Sequence, residues 1–588
     1  MIFDSEYHID IPNEDILTFL FERTRFRPND PIWLDAVNPD WHVTLSKARE
    51  LTHRIGQGLR DLGIGARRGA EDIVLSFIEN QVMVAPTLLG VLCAGGIHAT
   101  CPMTATTFEL TRQIKLSSPK ILVCSPQTRK VAEESIAQSG LSSIRLLVMM
   151  SESLDLSDAS GKSIVSDRHL QWRRMTDQTE LETTTACLVY SSGTTGVPKG
   201  VRITHFNIVS NLCQMAFHFD HFALKAISEG VYLRMPGIMQ NAVVLGITVQ
   251  TMMAMQCGMQ VYMFQKFDFN YLIECIRKYK FSAFFMVPAI WNRISNECTK
   301  EDLANFRFCM SGASPLPHAL QLKLQKMLPQ GVMLRVNWGM TETTTAAAQP
   351  APTEVDTEGS SGRLLPNLQA VVIDDKEQKL GVNQAGELCV KGPNIIREYF
   401  KNPEATKAAF TSDGWFRTGD IASFSQDGKL FIVGRSKVSV ITQTGCETAS
   451  KTLAPHVISS RYAREATNLE IVADCHTQEL LKYKSHQISP TEVEAILGQC
   501  PGVADVAVIG VPDGEGNDLP RAYIVTSASV SEKDIHEFLN PKVSVYKRLR
   551  AGVVFVNEIP RNHNAKIMRS VLKDWVEKDG TGSPRAKL

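Results

Sequence analysis

The 588-residue sequence predicts an α/β protein, with a large N-terminal domain of α/β subdomains carrying a β-rich subdomain and a small, mobile α+β lid domain at the C-terminus. Three observations lead there. The length exceeds what one hydrophobic core organises, so at least two domains of unequal size are required. Short apolar runs alternate with amphipathic segments through the first part of the chain, as in largely parallel sheets. Beyond about residue 360 the texture changes to shorter strand-like pieces punctuated by Gly and Asp.

In chain order, Thr44 to Leu62 carries Ala48, Leu51, Ile55, Leu59 and Leu62 at helical spacing, and Ile73-Val-Leu-Ser-Phe77 reads as a short buried strand. Lys120-Ile-Leu-Val-Cys124, Ser143-Ile-Arg-Leu-Leu-Val148 and Phe281-Ser-Ala-Phe-Phe-Met286 are further apolar runs of this kind. Gln369-Ala-Val-Val-Ile-Asp374 and Gly386-Glu-Leu-Cys-Val390 belong to the β-rich part. From Ile488 the pattern is helix, strand, strand, helix, strand, and its junction with the large part falls at Gly434-Arg-Ser-Lys437. No short-period repeat is present.

Composition narrows the function. Lys plus Arg (62) equals Asp plus Glu (62), which removes the broad electrostatic attraction that nucleic-acid binders use and points to a small-molecule substrate. The 13 cysteines lack CxxC pairs, so neither a zinc site nor a disulfide framework is expected and a reducing compartment fits. The uncharged stretches 81–108 and 241–264 are interrupted by Pro, Gly, His, Asn, Gln and Thr, and read as buried helix plus strand rather than membrane spans. Ala586-Lys587-Leu588 fits the small-basic-Leu pattern of a peroxisomal address behind the exposed run Asp579-Gly-Thr-Gly-Ser-Pro584. The expected location is therefore the peroxisome, with the cytoplasm as alternative and a peroxisomal import receptor as partner.

The most informative stretch is Leu188-Val-Tyr-Ser-Ser-Gly-Thr-Thr-Gly-Val-Pro-Lys-Gly-Val201. A strand opens into a loop where glycines let backbone N–H groups approach an anion, hydroxyls donate, and Lys199 brings a mobile positive charge. It is not a Walker loop, because its glycines are three apart; Gly161-Lys162-Ser163 also fails that pattern, with Leu156 in place of the first Gly. The segment resembles the phosphate-loop signature of the adenylate-forming superfamily, and further motifs are similar to its 4-coumarate:CoA ligase, luciferase and fungal acyl-CoA ligase branch in the same order, from about residue 10 to 575.

That resemblance implies ATP, Mg²⁺ and coenzyme A, and assigns residues. Ser191, Ser192, Gly193, Thr194, Thr195, Gly196 and Lys199 would cradle the phosphates. Gly312, Ala313 and Ser314, in Ser311-Gly-Ala-Ser-Pro-Leu316, match the adenine-side loop. Trp338, Gly339 and Met340 match the turn between nucleotide and substrate, with Trp338 where relatives commonly have Tyr, and Thr341 and Glu342 match residues that meet the phosphate and its Mg²⁺. Gly386-Glu-Leu-Cys-Val-Lys-Gly392 and Asp413-Gly-Trp-Phe-Arg-Thr-Gly-Asp420 continue the series. Asp420 matches the carboxylate on the ribose hydroxyls, Arg435 the ribose-side arginine and Lys437 the hinge. Lys566, in Ile559-Pro-Arg-Asn-His-Asn-Ala-Lys566, matches the catalytic lysine of the lid, although Asn564-Ala565 replaces the usual small-Gly pair.

Two departures stand out. Relatives run from the hinge directly into a Lys-Tyr-Lys-Gly loop, which here is Leu481-Lys-Tyr-Lys-Ser485, with Lys484 and Ser485 on the expected coenzyme A path and Ser485 in place of Gly. Residues 438–478 intervene. They begin Val438-Ser439 and end Gln478, as an in-frame intron with a GT-AGT donor and a CAG acceptor would read in translation; a surface insertion is the alternative. The expected domains are 1–433 for adenylation, 434–437 for the hinge, 438–478 for the insertion and 479–588 for the lid. Secondly, Leu233-Arg-Met-Pro-Gly-Ile-Met-Gln-Asn241 lacks the aromatic-His pair by which relatives shape the carboxylate end of the substrate site, leaving Met239, Gln240 and Asn241 near that wall.

The expected activity is an ATP-dependent acid:CoA ligase acting through an acyl-AMP. Alternatives are an adenylating enzyme that passes acyl-AMP to another acceptor, or a catalytically impaired paralogue. Fatty acids, aryl-propenoic acids and secondary-metabolite precursors all remain open as substrates.

Overall fold

The computed structural model describes residues 1–67, 69–191, 198–229, 232–313, 316–354, 356, 358–435, 439–441, 472–474, 481–483, 486–514, 517–561 and 567–577. Its first half is built on a seven-stranded sheet in the order Lys199–Thr204, Thr185–Ser191, Ile97–Thr100, Ile73–Phe77, Ile121–Cys124, Arg145–Met150 and Asp155–Asp158. The five inner strands run parallel and the two edge strands antiparallel. Every residue of Ile73–Phe77 is buried, as a parallel strand covered on both faces requires. The predicted helix is Leu45–Asp61, capped by the Thr44 side chain accepting from the Lys47 N–H, with its apolar stripe buried.

A four-stranded sheet, Leu233–Gly237, Met259–Met263, Pro31–Asp35 and His42–Thr44, adjoins a parallel three-stranded one, Ala283–Met286, Phe308–Ser311 and Leu334–Val336. Ser282 joins the two, its N–H donating to Arg234 O at 2.8 Å and its hydroxyl accepting from Arg234 N–H at 2.9 Å. Of the two uncharged stretches, the first folds as the buried helix Val84–Cys93 and strand Ile97–Thr100. The second folds as the π-helix Gly246–Met253, the turn of α-helix Ala254–Cys257 and the strand Met259–Met263. No helix among the described residues is long and apolar enough to cross a membrane.

The β-rich part is a five-stranded antiparallel sheet, Phe3–Asp4, Gln369–Ile373, Gly386–Lys391, Phe416–Phe424 and Leu430–Arg435. Its edge comes from the chain's start, where the Phe3 ring stacks on Phe424 with centroids 4.2 Å apart. Two residues have no period to detect, so this strand was not legible in the sequence. The C-terminal domain packs helices Pro490–Leu497 and Glu532–Leu539 on the sheet Val503–Pro512, Asp518–Thr526 and Val553–Phe555. A further helix, Arg569–Glu577, closes its other side around Tyr523 and Leu572. Of the intervening segment, Ser439–Ile441 pairs antiparallel with Val472–Asp474.

Candidate active site

The strand Thr185–Ser191 delivers Ser191 to the end of the seven-stranded sheet, and its antiparallel partner begins at Lys199, so the phosphate loop joins two paired strands. Opposite stands the short 3-10 turn Thr341–Thr343. Its Glu342 is buried, and carboxylate oxygen Oε1 accepts from the Ser191 hydroxyl at 3.2 Å and from the Tyr399 phenol at 3.0 Å. Lys199 Nζ lies 5.3 Å from the centroid of the Tyr399 ring, within cation–π range.

Tyr399 is held there by the backbone. It bridges Val201, Phe400 N–H donates to Gly200 O at 2.7 Å, and Ile396 N–H donates to Glu342 O at 3.0 Å. Burial, and then the charge of Glu342, raise the Tyr399 phenol above its ordinary range, so it stays a donor at neutral pH. Sequence reasoning missed this residue, since a Tyr in a loop 57 residues from its partner carries no local signal.

The adenine-side loop and the turn after Leu334–Val336 lie side by side, with Ser311 paired to Val336. Their approach demands glycine. A Cβ on Gly312 would stand 2.1 Å from Asn337 Oδ1, and one on Gly339 1.9 Å from Thr345 O. Ala313 takes the left-handed conformation at φ 64°. Trp338 is buried, and its indole N–H donates to Asp420 Oδ2 at 2.9 Å, joining the motifs expected at the base and at the ribose through one bond. Asp420 pairs through its backbone with Arg435 on the neighbouring strand.

Met239, Gln240 and Asn241 follow the strand Leu233–Gly237 and are clamped rather than loose. Asn80 donates its amide to Gly237 O at 3.1 Å and Met239 O at 2.8 Å, and accepts from Asn241 N–H at 3.0 Å. Gln250, from the π-helix, accepts from Met239 N–H at 2.8 Å and donates to Met239 O at 2.6 Å. Asn241 is buried and spends its own amide on Ile78 O and Glu79 O, while Gln240 is half-buried. Thr248 of the π-helix meets Thr345 hydroxyl to hydroxyl at 2.6 Å, so this wall and the Glu342 loop are coupled. A π-helix at such a wall is common at functional sites.

Beyond them lies a narrow apolar cavity, with Leu245, Val249 and Met253 on one side, Met215 and Phe219 on another, and Phe285, Phe308 and Met310 from the three-stranded sheet on the third. Asn337 and Thr345 stand at one end. Its volume of about 10 Å³ holds barely one water. Each wall carries one methionine, Met253, Met215 or Met310, whose unbranched thioether repacks readily.

Ser192, Gly193, Thr194, Thr195, Gly196, Ser314, Lys437, Lys484, Ser485, Lys566 and the tail Ala586-Lys587-Leu588 lie outside the described residues, as does the side chain of Arg435. Among those described, the fold brings Ser191, Lys199 and Glu342 into one cluster and Trp338 and Asp420 into another.

The model of the AMP-binding enzyme family matches residues 20–400, and that of the AMP-binding enzyme C-terminal domain matches residues 492–566. A provisionally named acyl-coenzyme A synthetase of Emericella nidulans is 33% identical, with 97% of each chain covered. The phenylacetyl-CoA ligase epaB of Aspergillus niger is 28% identical over 98% of this chain and 99% of its own. Among solved structures, the amide bond synthetase McbA of Marinactinospora thermotolerans superposes with a TM-score of 0.75 at 19% identity, covering 95% of this chain and 99% of that one, a likeness of fold.

Proposed function

This chain belongs to the AMP-binding enzyme family, and from that premise we propose how its residues perform the reaction of an ATP-dependent acid:CoA ligase, which makes an acyl-AMP with release of pyrophosphate and then the acyl-CoA thioester. The observation that carries the reading is the double cluster: Ser191 and Tyr399 on Glu342 at the end of the phosphate-loop strand, and Trp338 on Asp420.

Ser191 to Gly196 and Lys199 bind the ATP phosphates, Gly312, Ala313, Ser314, Trp338, Gly339 and Met340 enclose the adenine, and Asp420 with Arg435 takes the ribose hydroxyls. The buried, hard oxygen donors of Glu342 beside the Ser191 hydroxyl fit a Mg²⁺ ion, which when bound offsets phosphate charge. Thr341 donates to the α-phosphate. Lys566 neutralises charge that builds between the attacking carboxylate and that phosphate, and its loss should cost on the order of 100-fold in rate. Holding acid and nucleotide aligned contributes about 7–11 kcal/mol relative to free encounter.

The lid, 479–588, then turns about Lys437 so that the coenzyme A thiol reaches the acyl-AMP past Lys484 and Ser485. Residues 438–478 sit at that hinge, which favours a second reading for this chain: adenylation proceeds while thioester formation is obstructed. Loop length itself is cheap, about 0.6 kcal/mol per doubling, so a chain lacking the segment should fold. The substrate is an aryl or aliphatic acid, a reading supported by the relatives' names and the apolar cavity.

The test is pyrophosphate release from ATP·Mg²⁺ with a panel of acids, with and without coenzyme A, on the full chain and on a chain lacking 438–478. Release with acyl-CoA from either protein supports the ligase. Release without thioester from both would move the acyl group to another acceptor, and no release from either would end the reading.

A further inference from the structure

Next to the apolar cavity the three-stranded sheet carries a buried charge. Across the three-stranded sheet Phe285 pairs with Met310, and Met310 pairs with Arg335, so the row that lines the cavity ends in an arginine. Arg335 is 4% exposed. Its guanidinium carbon stands 4.8 Å from the Phe222 ring centroid and 6.0 Å from that of Phe308, a cavity-lining residue. Two of its nitrogens donate to backbone carbonyls, Nη1 to Met333 and Nη2 to Pro352, while Nε has no partner. Among the described residues no carboxylate pairs with it, and burial holds its pKa below the ordinary value.

A second unsatisfied group lies on the helix that carries Phe222, its ring edge-on to Tyr7 and Phe217. His218 lies on the helix His205–Ser228, three residues after Met215 and next to Phe219, both of which line the cavity, and one turn before Phe222. It is 3% exposed, and neither ring nitrogen has a partner. Burial, and then the positive charge of Arg335, bring its pKa down to about 4, so the ring is neutral at pH 7 and offers one N–H donor.

Buried cations are ordinarily paired, because desolvating an uncompensated charge is costly. A methionine at position 335 would fill similar space without that cost. Stacking on two phenylalanines offsets part of it but leaves Nε and both His218 nitrogens unmet. Resting on the ligase reading above, we propose that Arg335, together with His218, receives a carboxylate at the end of the substrate remote from the reacting one. The preferred acids are thus dicarboxylic, with an apolar middle lying between Met215, Phe219, Val249 and Met310. Phe308 swings aside to admit the distal carboxylate.

The experiment compares kcat/KM for pyrophosphate release with a homologous series of straight-chain α,ω-diacids and their matched monoacids, in the wild type and in Arg335→Met. The expected wild-type preference for the best diacid over its monoacid is roughly 10- to 100-fold, the range for a hydrogen bond to a charged group, and Arg335→Met should abolish it. An equal or inverse wild-type preference overturns the proposal without recourse to the variant. So does a preference that survives in an Arg335→Met protein with a cooperative thermal transition. The ligase reading itself is decided by the wider acid panel on both chains described above; if neither straight-chain class releases pyrophosphate, calorimetric titration of both classes into wild type and Arg335→Met with AMP present decides this point. Selective diacid binding lost in the variant upholds it; unselective or absent binding ends it.

Discussion

Lys547 and Arg335 are both buried cations, but the fold treats them in opposite ways. Lys547, in the C-terminal domain, donates to Glu109 Oε1 of the N-terminal domain at 2.6 Å and to Glu492 Oε1 at 3.1 Å. Ser544 adds a hydroxyl bond to Glu109 at 2.5 Å, and Arg112 approaches Glu492 at 3.9 Å. Burial opposes the Lys547 charge, and Tyr546, Glu109 and Glu492 outweigh it, so its pKa is raised; burial likewise opposes the charge of Glu109, and Lys547 and Ser544 bring its pKa below the ordinary range. Arg335 has two backbone carbonyls and two aromatic faces instead, and its pKa falls. The paired cation ties the C-terminal domain to the N-terminal one; the one without a carboxylate lies against Phe308, which lines the apolar cavity. A charge compensated by the chain itself is structural, and the other is, on the proposal above, a place for a ligand.

The largest expected effect tests the paired side. Lys547→Met leaves Glu109 and Glu492 buried without their shared cation and should destabilise the protein by about 3–5 kcal/mol, measured by denaturant unfolding. An unchanged midpoint would mean that the network contributes nothing. The helix Pro490–Leu497 that carries Glu492 begins directly after the hairpin Leu481–Tyr483 and His486–Ile488, whose turn is the expected coenzyme A path. The variant should therefore slow thioester formation more than pyrophosphate release.

The same substitution at the other cation should have the opposite sign. Arg335→Met replaces a charge lacking a carboxylate partner with an apolar side chain of similar length, and stability should be unchanged or rise by about 1–4 kcal/mol in the same assay. A loss comparable to that of Lys547→Met would erase the distinction between them.

Titration gives a smaller, reversible probe. The lowered pKa of Glu109 means that its contribution is present above its unfolded value, near pH 4.3, and is lost as pH falls through the folded one. The raised pKa of Lys547 keeps its contribution below its unfolded value, near pH 10.4, until pH rises through the folded one. The lid contact should accordingly be insensitive to pH from about 5 to 10 and loosen below that, as followed by energy transfer between dyes on lid and body. Loosening near neutrality would show that other groups govern it. The smallest effect belongs to Trp338→Phe, which removes one indole bond to the Asp420 carboxylate and should raise KM for ATP by roughly 10-fold or somewhat more, at little cost to stability.

Legibility differed between the two halves of the site. Ser191 and Lys199 could be singled out because their local run of glycines, hydroxyls and one lysine has phosphate-binding chemistry, whereas Glu342 and Asp420 were singled out only by the resemblance of their motifs to the family's. Tyr399, Asn80 and Gln250 were not, since each acts on a partner distant in sequence or hidden at a strand end, and none differs locally from an ordinary loop or helix residue. The expectation that Met239, Gln240 and Asn241 stand at the substrate wall remains a proposal, and their hydrogen bonds show why that segment is rigid. The core strands and the helix Leu45–Asp61 were visible through apolar periodicity, whereas the two-residue strand at the N-terminus has none.

By itself the sequence determined the α/β class and the small C-terminal domain, which depend on periodicity and composition within a few tens of residues, and the family, through the resemblance of its motifs. Tertiary structure alone decided which carboxylate meets which hydroxyl, that Lys547 is shared across two domains, and that Arg335 is buried against Phe222 and Phe308 without a carboxylate among the described residues. Those are consequences of burial. The cost of desolvating a charge depends on what the fold places within a few ångströms, and an arginine in Leu334–Val336 reads the same whether its partner is a glutamate, a ring or a substrate.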